Sequence, residues 1–236
     1  LELSLNPDQA SAAVAIRKIR TEEFAIIGQA TAAAFVRGGI SAPDDDYLNK
    51  LRDVKKRADD PLSQVLVATI DDELVGTVTY CPFGSDLTQV CRDGDFEFRM
   101  LATFDGFEGR GIATALIDAC IEIAREQELL FALACVVTWN AGGHGLYQRL
   151  GFQRVPELDW HTSDNTLLQT YTRSVMAVYC PRCGKTFDES NHKACTVALG
   201  LEPPRYCSVC RRRMVVQVVP ARWRARCIEH GELTNV

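Results

Sequence analysis

Eight soft ligands crowd the last quarter of this 236-residue chain. They come as four pairs with the same two-residue spacer: Cys180-x-x-Cys183, His192-x-x-Cys195, Cys207-x-x-Cys210 and Cys227-x-x-His230. Such a spacer lets both side chains of a pair turn toward one ion, and four pairs are enough for two tetrahedral zinc sites. Thiolates equally suit iron–sulfur clusters, so the spacing leaves the metal open. A segment this short has little core of its own and needs a staple.

A second chemistry stands at residues 96–116, FEFRMLATFDGFEGRGIATAL. A strand runs into a Gly-containing turn that opens a helix. Such a turn aims successive backbone N–H groups at one point, and the helix dipole adds positive potential there, which suits a pyrophosphate. No Gly-Lys-Ser/Thr follows, so it is not a Walker loop, and Gly109 and Gly111 stand too close for a dinucleotide fingerprint. Downstream, residues 140–152 read NAGGHGLYQRLGF.

The elements that must hold these stretches follow from periodicity and punctuation. Strands are expected at residues 14–19, 65–70, 74–81, 95–103, 129–138 and 167–172, with a hairpin turn at 71–73. Helices are expected at 22–35, capped by Thr21, then at 44–58, 109–126 and 140–150. The order β-α-α-β-β-β-α-β-α-β is an α/β layer with a mixed sheet. Composition is ordinary for a globular protein, with 47% hydrophobic and 24% charged residues, which excludes disordered and fibrous classes. No apolar run is long enough for a membrane helix, and no secretory pattern opens the chain. The chain starts at Leu1 rather than Met, so the natural start is expected upstream.

Charge and cysteine usage divide the chain in two. Residues 175–236 carry 10 Lys/Arg and 5 Asp/Glu, while the rest carry 16 and 26. Four cysteines (Cys81, Cys91, Cys120, Cys135) are scattered singly through the first part and the other six are clustered at the end. Scattered thiols fit a reducing cytoplasm. The expected domains are therefore 1–174 and 175–236.

The two glycine-rich stretches together resemble the GNAT acyltransferase family. Glu108-Gly109-Arg110-Gly111-Ile112-Ala113 matches its Gln/Arg-x-x-Gly-x-Gly/Ala motif, with Glu108 standing where Gln or Arg is usual. The likeness spans roughly residues 14–172. It implies a mostly antiparallel mixed sheet flanked by helices, and acetyl-CoA as donor to a small-molecule or protein amine. It implies that the edge Leu101, Ala102 and Thr103 holds the pantetheine and that an N–H near Leu101 stabilises the oxyanion. The amides of Gly109, Arg110, Gly111, Ile112, Ala113 and Thr114 would bind the pyrophosphate, with Arg110 adding charge. Asn140 matches a pantetheine contact, and Tyr147 matches the acid that protonates the leaving thiolate. Glu97, upstream of the oxyanion donor, is the candidate base. The alternatives are a strand-face carboxylate for Glu97 and a core aromatic for Tyr147. His144 is read as a solvated helix histidine before a second base.

From Tyr179 to Gly231 the chain resembles the actinobacterial biotin synthase auxiliary protein family. The shared text is the CxxC start, PPRYCxxCxRRMVVQV, W-x-A-x-C and the closing Cys-x-x-His-Gly. This resemblance implies an iron–sulfur cluster and support of biotin synthase. Met176 stands where a free-standing version would begin, which fits a fusion. Cys180, Cys183, Cys207 and Cys210 are the first-choice set, with His192, Cys195, Cys227 and His230 completing a second site or lying behind the ligands. Arg211, Arg212, Arg213, Arg222, Arg224 and Arg226 read as a solvated or protein-docking face rather than a nucleic-acid site, since no RNP motif or aromatic series accompanies them.

Overall fold

A computed structural model describes residues 13–176, 178–187, 191–220 and 222–234. The chain forms two compact units, one of residues up to Cys81 with Phe98–Cys120, the other of Pro82–Glu97 with the residues from Ile121 onward.

In the first unit β1 (Ala15–Lys18), β2 (Gln64–Ile70) and β3 (Glu73–Pro82) pair antiparallel in succession, with Ala15 opposite Thr69 and Leu66 opposite Val78. Asp71 and Asp72 join β2 to β3 with φ of 48° and 65°. Left-handed backbone at both positions matches the twist of a two-residue hairpin, and Asp tolerates it. Helix α1 (Phe24–Arg37) follows a single 3₁₀ turn, Thr21–Glu23. The expected Thr21 cap is not used. Instead the Glu23 carboxylate accepts the Arg20 N–H at 2.8 Å and two bonds from the Arg17 guanidinium at 2.6 and 2.9 Å.

The helix expected at 44–58 is two helices, α2 (Tyr47–Arg52) and α3 (Val54–Asp59). Asp53 breaks the run: its backbone leaves the helical region (ψ 69°) and its side chain accepts the Lys56 N–H. A short carboxylate competes with the helix for its own backbone donors and so caps better than it continues. Ile27, Phe35, Leu48, Leu51, Val54 and Val67 form the core that these helices share with the sheet.

Strand β4 (Asp95–Thr103) carries Met100 at φ 54°. A left-handed residue inside a strand interrupts its pleat and re-aims the backbone beyond it. Helix α4 (Ile112–Glu126) then crosses β3 at Gly76, where a Cβ would meet the Ala102 carbonyl and the Ile112 side chain at 2.8 Å each.

In the second unit the start of β4 runs parallel to β5 (Phe131–Val137), with Asp95 opposite Phe131. β5 pairs antiparallel with β8 (Leu167–Ser174), and β8 also takes the short strands β6 (Gln153–Arg154) and β7 (Trp160–His161). The strand order is β1-β2-β3-β4-β5-β8-β6, with β7 beside β8. This is the expected mixed, mostly antiparallel sheet. Helix α5 (Ala141–Arg149) lies between β5 and β6 in sequence. The cysteine-rich stretch adds α6 (Lys193–Leu199) and a small sheet ordered β11-β10-β9, made of β9 (Val215–Val219), β10 (Arg222–Cys227) and β11 (Gly231–Thr234). No helix among the described residues is long and apolar enough to cross a membrane.

Candidate acyl-transfer and metal sites

The first unit carries the glycine turn and the second half of β4. Gly106, Gly109 and Gly111 all have positive φ (78°, 76° and 81°), and open space surrounds each. These positions demand glycine for backbone conformation rather than for room. The first bond reaching back into the turn runs from Ala115 N–H to the Gly111 carbonyl. The amides of Ile112, Ala113 and Thr114 are the first of the helix, and such N–H groups have no acceptor within it. They supply the partial positive charge that draws an anion to a helix start.

Arg37, the last residue of α1, clasps this turn. It donates to the Thr103 carbonyl at 3.2 Å, lies 3.4 Å from Asp105 and forms an ion pair with Glu108. A hydrogen bond from its own backbone N–H, and after it the Arg37 guanidinium, hold the Glu108 carboxyl below its ordinary range. Glu108 is the position that departs from the family motif, and α1 provides its counter-charge. Sequence reasoning missed Arg37 because 71 residues separate the pair. Arg110 stacks over Phe107, its guanidinium carbon 5.1 Å from the ring centre.

The second unit carries Glu97, Asn140, His144 and Tyr147. Glu97 is 1% exposed. Its Oε2 accepts the N–H groups of Gln89 at 2.8 Å and Val90 at 3.3 Å, which fixes the carboxylate on a loop. Asn140 caps α5: its side chain accepts the Gly143 N–H at 2.9 Å. Tyr147 packs against Phe152 and Tyr171 with ring centres 5.7 Å apart in both pairs. Burial pushes its phenol pKa well above the ordinary range. His144 has both ring nitrogens engaged, Nδ1 with the Tyr171 hydroxyl at 2.8 Å and Nε2 with the Thr138 carbonyl at 3.2 Å. Half-buried, it ties α5 to β8. Tyr171 was not foreseen, since nothing in a lone strand tyrosine marks it.

The eight metal-ligand candidates gather in two sets, Cys180, Cys183, His192 and Cys195, and Cys207, Cys210, Cys227 and His230. Within each set the donor atoms lie within 4.8 Å of one another. The four cysteines Cys180, Cys183, Cys207 and Cys210, expected as one set, are split two and two. The reason is local: each CxxC is its own turn, and the two turns repeat one another. Cys180 N–H bonds to the Lys185 carbonyl and Cys207 N–H to the Arg212 carbonyl, five residues on in each case. Bridges Tyr179↔Thr186 and Tyr206↔Arg213 flank them in the same register. The residue after the second ligand is left-handed both times, Gly184 at φ 71° and Arg211 at φ 62°. One turn is completed by the start of α6, the other by the Cys227–His230 turn between β10 and β11. Burial pushes Cys180 and Cys207 up to about 11. At Cys227 burial is outweighed by the Glu229 and His230 N–H groups and the His230 ring, which pull it down to about 6.

Residues 214–235 match the biotin synthase auxiliary protein family. Auxiliary proteins of this description are 64% identical over 42 residues in Mycobacterium leprae (17% of this chain, 52% of that protein) and 63% identical over 37 residues in Mycobacterium tuberculosis (16% and 47%). The chain thus spans about half the length of these curated relatives. Solved structures share the larger fold. An acetyltransferase of the GNAT family from Staphylococcus aureus is 15% identical with a TM-score of 0.56, covering 69% of this chain and 99% of its own. The PaiA N-acetyltransferase of Thermoplasma acidophilum, solved in complex with coenzyme A, is 15% identical with a TM-score of 0.51, covering 67% and 98%. A ribosomal-protein-alanine N-acetyltransferase from Brucella melitensis is 20% identical with a TM-score of 0.51, covering 68% and 99%. Residues 21–152, more than half of the sequence, match the acetyltransferase (GNAT) family, and the chain belongs to it.

Proposed function

We propose that the protein transfers an acetyl group from acetyl-CoA to an amine. The observation that carries this reading is the glycine turn, three left-handed glycines feeding the open amides of α4. In this reading residues 109–114 bind the pyrophosphate and Arg110 adds a cation. The edge Leu101, Ala102 and Thr103, beyond the left-handed Met100, pairs with the pantetheine, and Asn140 contacts that arm. The amine nitrogen attacks the thioester carbon while Glu97 takes its proton. The Leu101 N–H steadies the oxyanion, the carbon–sulfur bond breaks, and Tyr147 returns a proton to the thiolate. Holding amine and thioester together supplies much of the rate gain. The test is thiol release from acetyl-CoA with a panel of small amines and peptide N-termini. Absence of both turnover and coenzyme A binding would sink the reading.

A second reading concerns the C-terminal segment. The match of residues 214–235 to the auxiliary family, with a curated relative 64% identical over 42 residues, supports a metal-binding module that assists biotin synthase, in a cytoplasmic protein. Its sheet supports a docking role, because Val215 and Val219, on one face of β9, are 75% and 45% exposed, and exposed apolar side chains grouped on one face mark interaction sites. The test is rescue of biotin synthesis in cells lacking a stand-alone auxiliary protein. The domains 1–174 and 175–236 are proposed as the functional division.

A further inference from the structure

We infer that each Cys/His set holds a single tetrahedral ion, zinc, and that neither holds an iron–sulfur cluster. The inference rests on the module being a metal-binding one and deepens that reading. Its ground is the spacing between donors. An ion bound with Zn–S of about 2.3 Å and Zn–N of about 2.0 Å in a tetrahedron sets sulfurs roughly 3.8 Å apart and sulfur and nitrogen roughly 3.5 Å apart.

The second set follows this pattern at three edges. Cys210 Sγ and Cys227 Sγ are 3.7 Å apart, Cys207 Sγ and His230 Nδ1 are 3.6 Å apart, and Cys227 Sγ and His230 Nδ1 are 3.5 Å apart. In the first set Cys183 Sγ and His192 Nδ1 are 3.6 Å apart. No pair in either set exceeds 4.8 Å. A cluster spreads its protein ligands over different irons separated by bridging sulfides. Donors that converge on one point leave no room for such a core.

The donor chemistry agrees. Each set has three thiols and one imidazole, a standard closed combination for structural zinc. His192 Nε2 lies 3.0 Å from the Thr186 carbonyl. A carbonyl accepts only, so that nitrogen carries the proton and Nδ1 keeps its lone pair toward the thiols. This is the outer hydrogen bond that orients a metal-bound histidine. His192 is itself buried, with 5% exposure, and its ring meets Phe187 edge-on at 5.4 Å.

The test uses the full chain purified without oxygen, with zinc, iron and acid-labile sulfide quantified per chain. About two zinc ions and negligible sulfide are expected. Exchange with cobalt is expected to give two equivalents with the intense visible bands of a tetrahedral thiolate site. Cys207→Ser should lower the count to about one while the first set stays loaded. If that variant fails to fold, the wild-type stoichiometry still decides. Iron and sulfide in matching amounts, with more than one iron per set, would overturn the single-ion inference and leave the metal-module reading intact. A chain that binds neither zinc, cobalt nor iron would remove both.

Discussion

The ring of Phe187 sits where a side chain on Gly151 would begin, its Cε1 2.7 Å from the place a Cβ would take. Gly151 ends α5, the helix of Tyr147, and Phe187 lies five residues before His192. The same aromatic ring receives the Arg173 guanidinium at 5.4 Å. Nearby, Thr196 on α6 places its hydroxyl 3.3 Å from the Gln148 carbonyl. The first Cys/His set is thus packed directly on the last helix of the acyltransferase fold.

Gly151 is required twice, for its φ of 80° and for the room it leaves Phe187. A left-handed alanine costs about 1–2 kcal/mol and overpacking another 1–3. Gly151→Ala is expected to destabilise by about 3 kcal/mol in a thermal or denaturant melt. A melt within error of the parent would contradict this packing account.

The Arg37 clasp makes a prediction about the donor. Arg37→Ala leaves Glu108 facing the bound phosphates with no counter-charge. The KM for acetyl-CoA should rise about three- to tenfold, more at low salt than at high, because exposed charges are screened. Glu108→Gln restores the family residue and should lower that KM. Steady-state kinetics at two ionic strengths would show it, and a rise in KM for Glu108→Gln would count against the clasp.

Tyr147 carries a pH prediction. It acts as an acid in its protonated form, which persists below its pKa, and burial moves that pKa upward. Its alkaline limb should therefore lie above the ordinary tyrosine value of about 10. Tyr147→Phe should lower kcat by about 10²-fold or more, the usual worth of a positioned acid, while the KM for acetyl-CoA changes little. Full turnover by this variant across the pH range would remove the role.

The exposed valines separate the two proposed activities. Val215→Ser with Val219→Ser alters one exposed face of β9 and leaves the four donors of the second set in place. The double variant should keep acetyl transfer and metal content but lose rescue of biotin synthesis. Full rescue would show that the sheet face is not the docking surface.

The sequence determined more of the backbone than of the contacts. The hairpin turn read at 71–73, the strand run from β2 to β4, the glycine turn and the even spacing of the four Cys/His pairs are all legible, because each depends on residue types a few positions apart. The periodicity at residues 44–58 marks helix, yet it does not show that Asp53 caps a second helix instead of extending the first.

Tertiary structure decided which distant residues meet. Pairing of Cys180–Cys183 with His192–Cys195, and of Cys207–Cys210 with Cys227–His230, is set by α6 and the β10–β11 hairpin. Identical spacers in all four pairs carry no information about which pair finds which. The Arg37–Glu108 clasp and the His144–Tyr171 bond likewise join elements far apart in the chain. Such contacts arise when strands and helices pack to bury their apolar faces, and side chains brought to the same place then satisfy one another. A linear pattern records the apolar faces; only the packed chain records the neighbours.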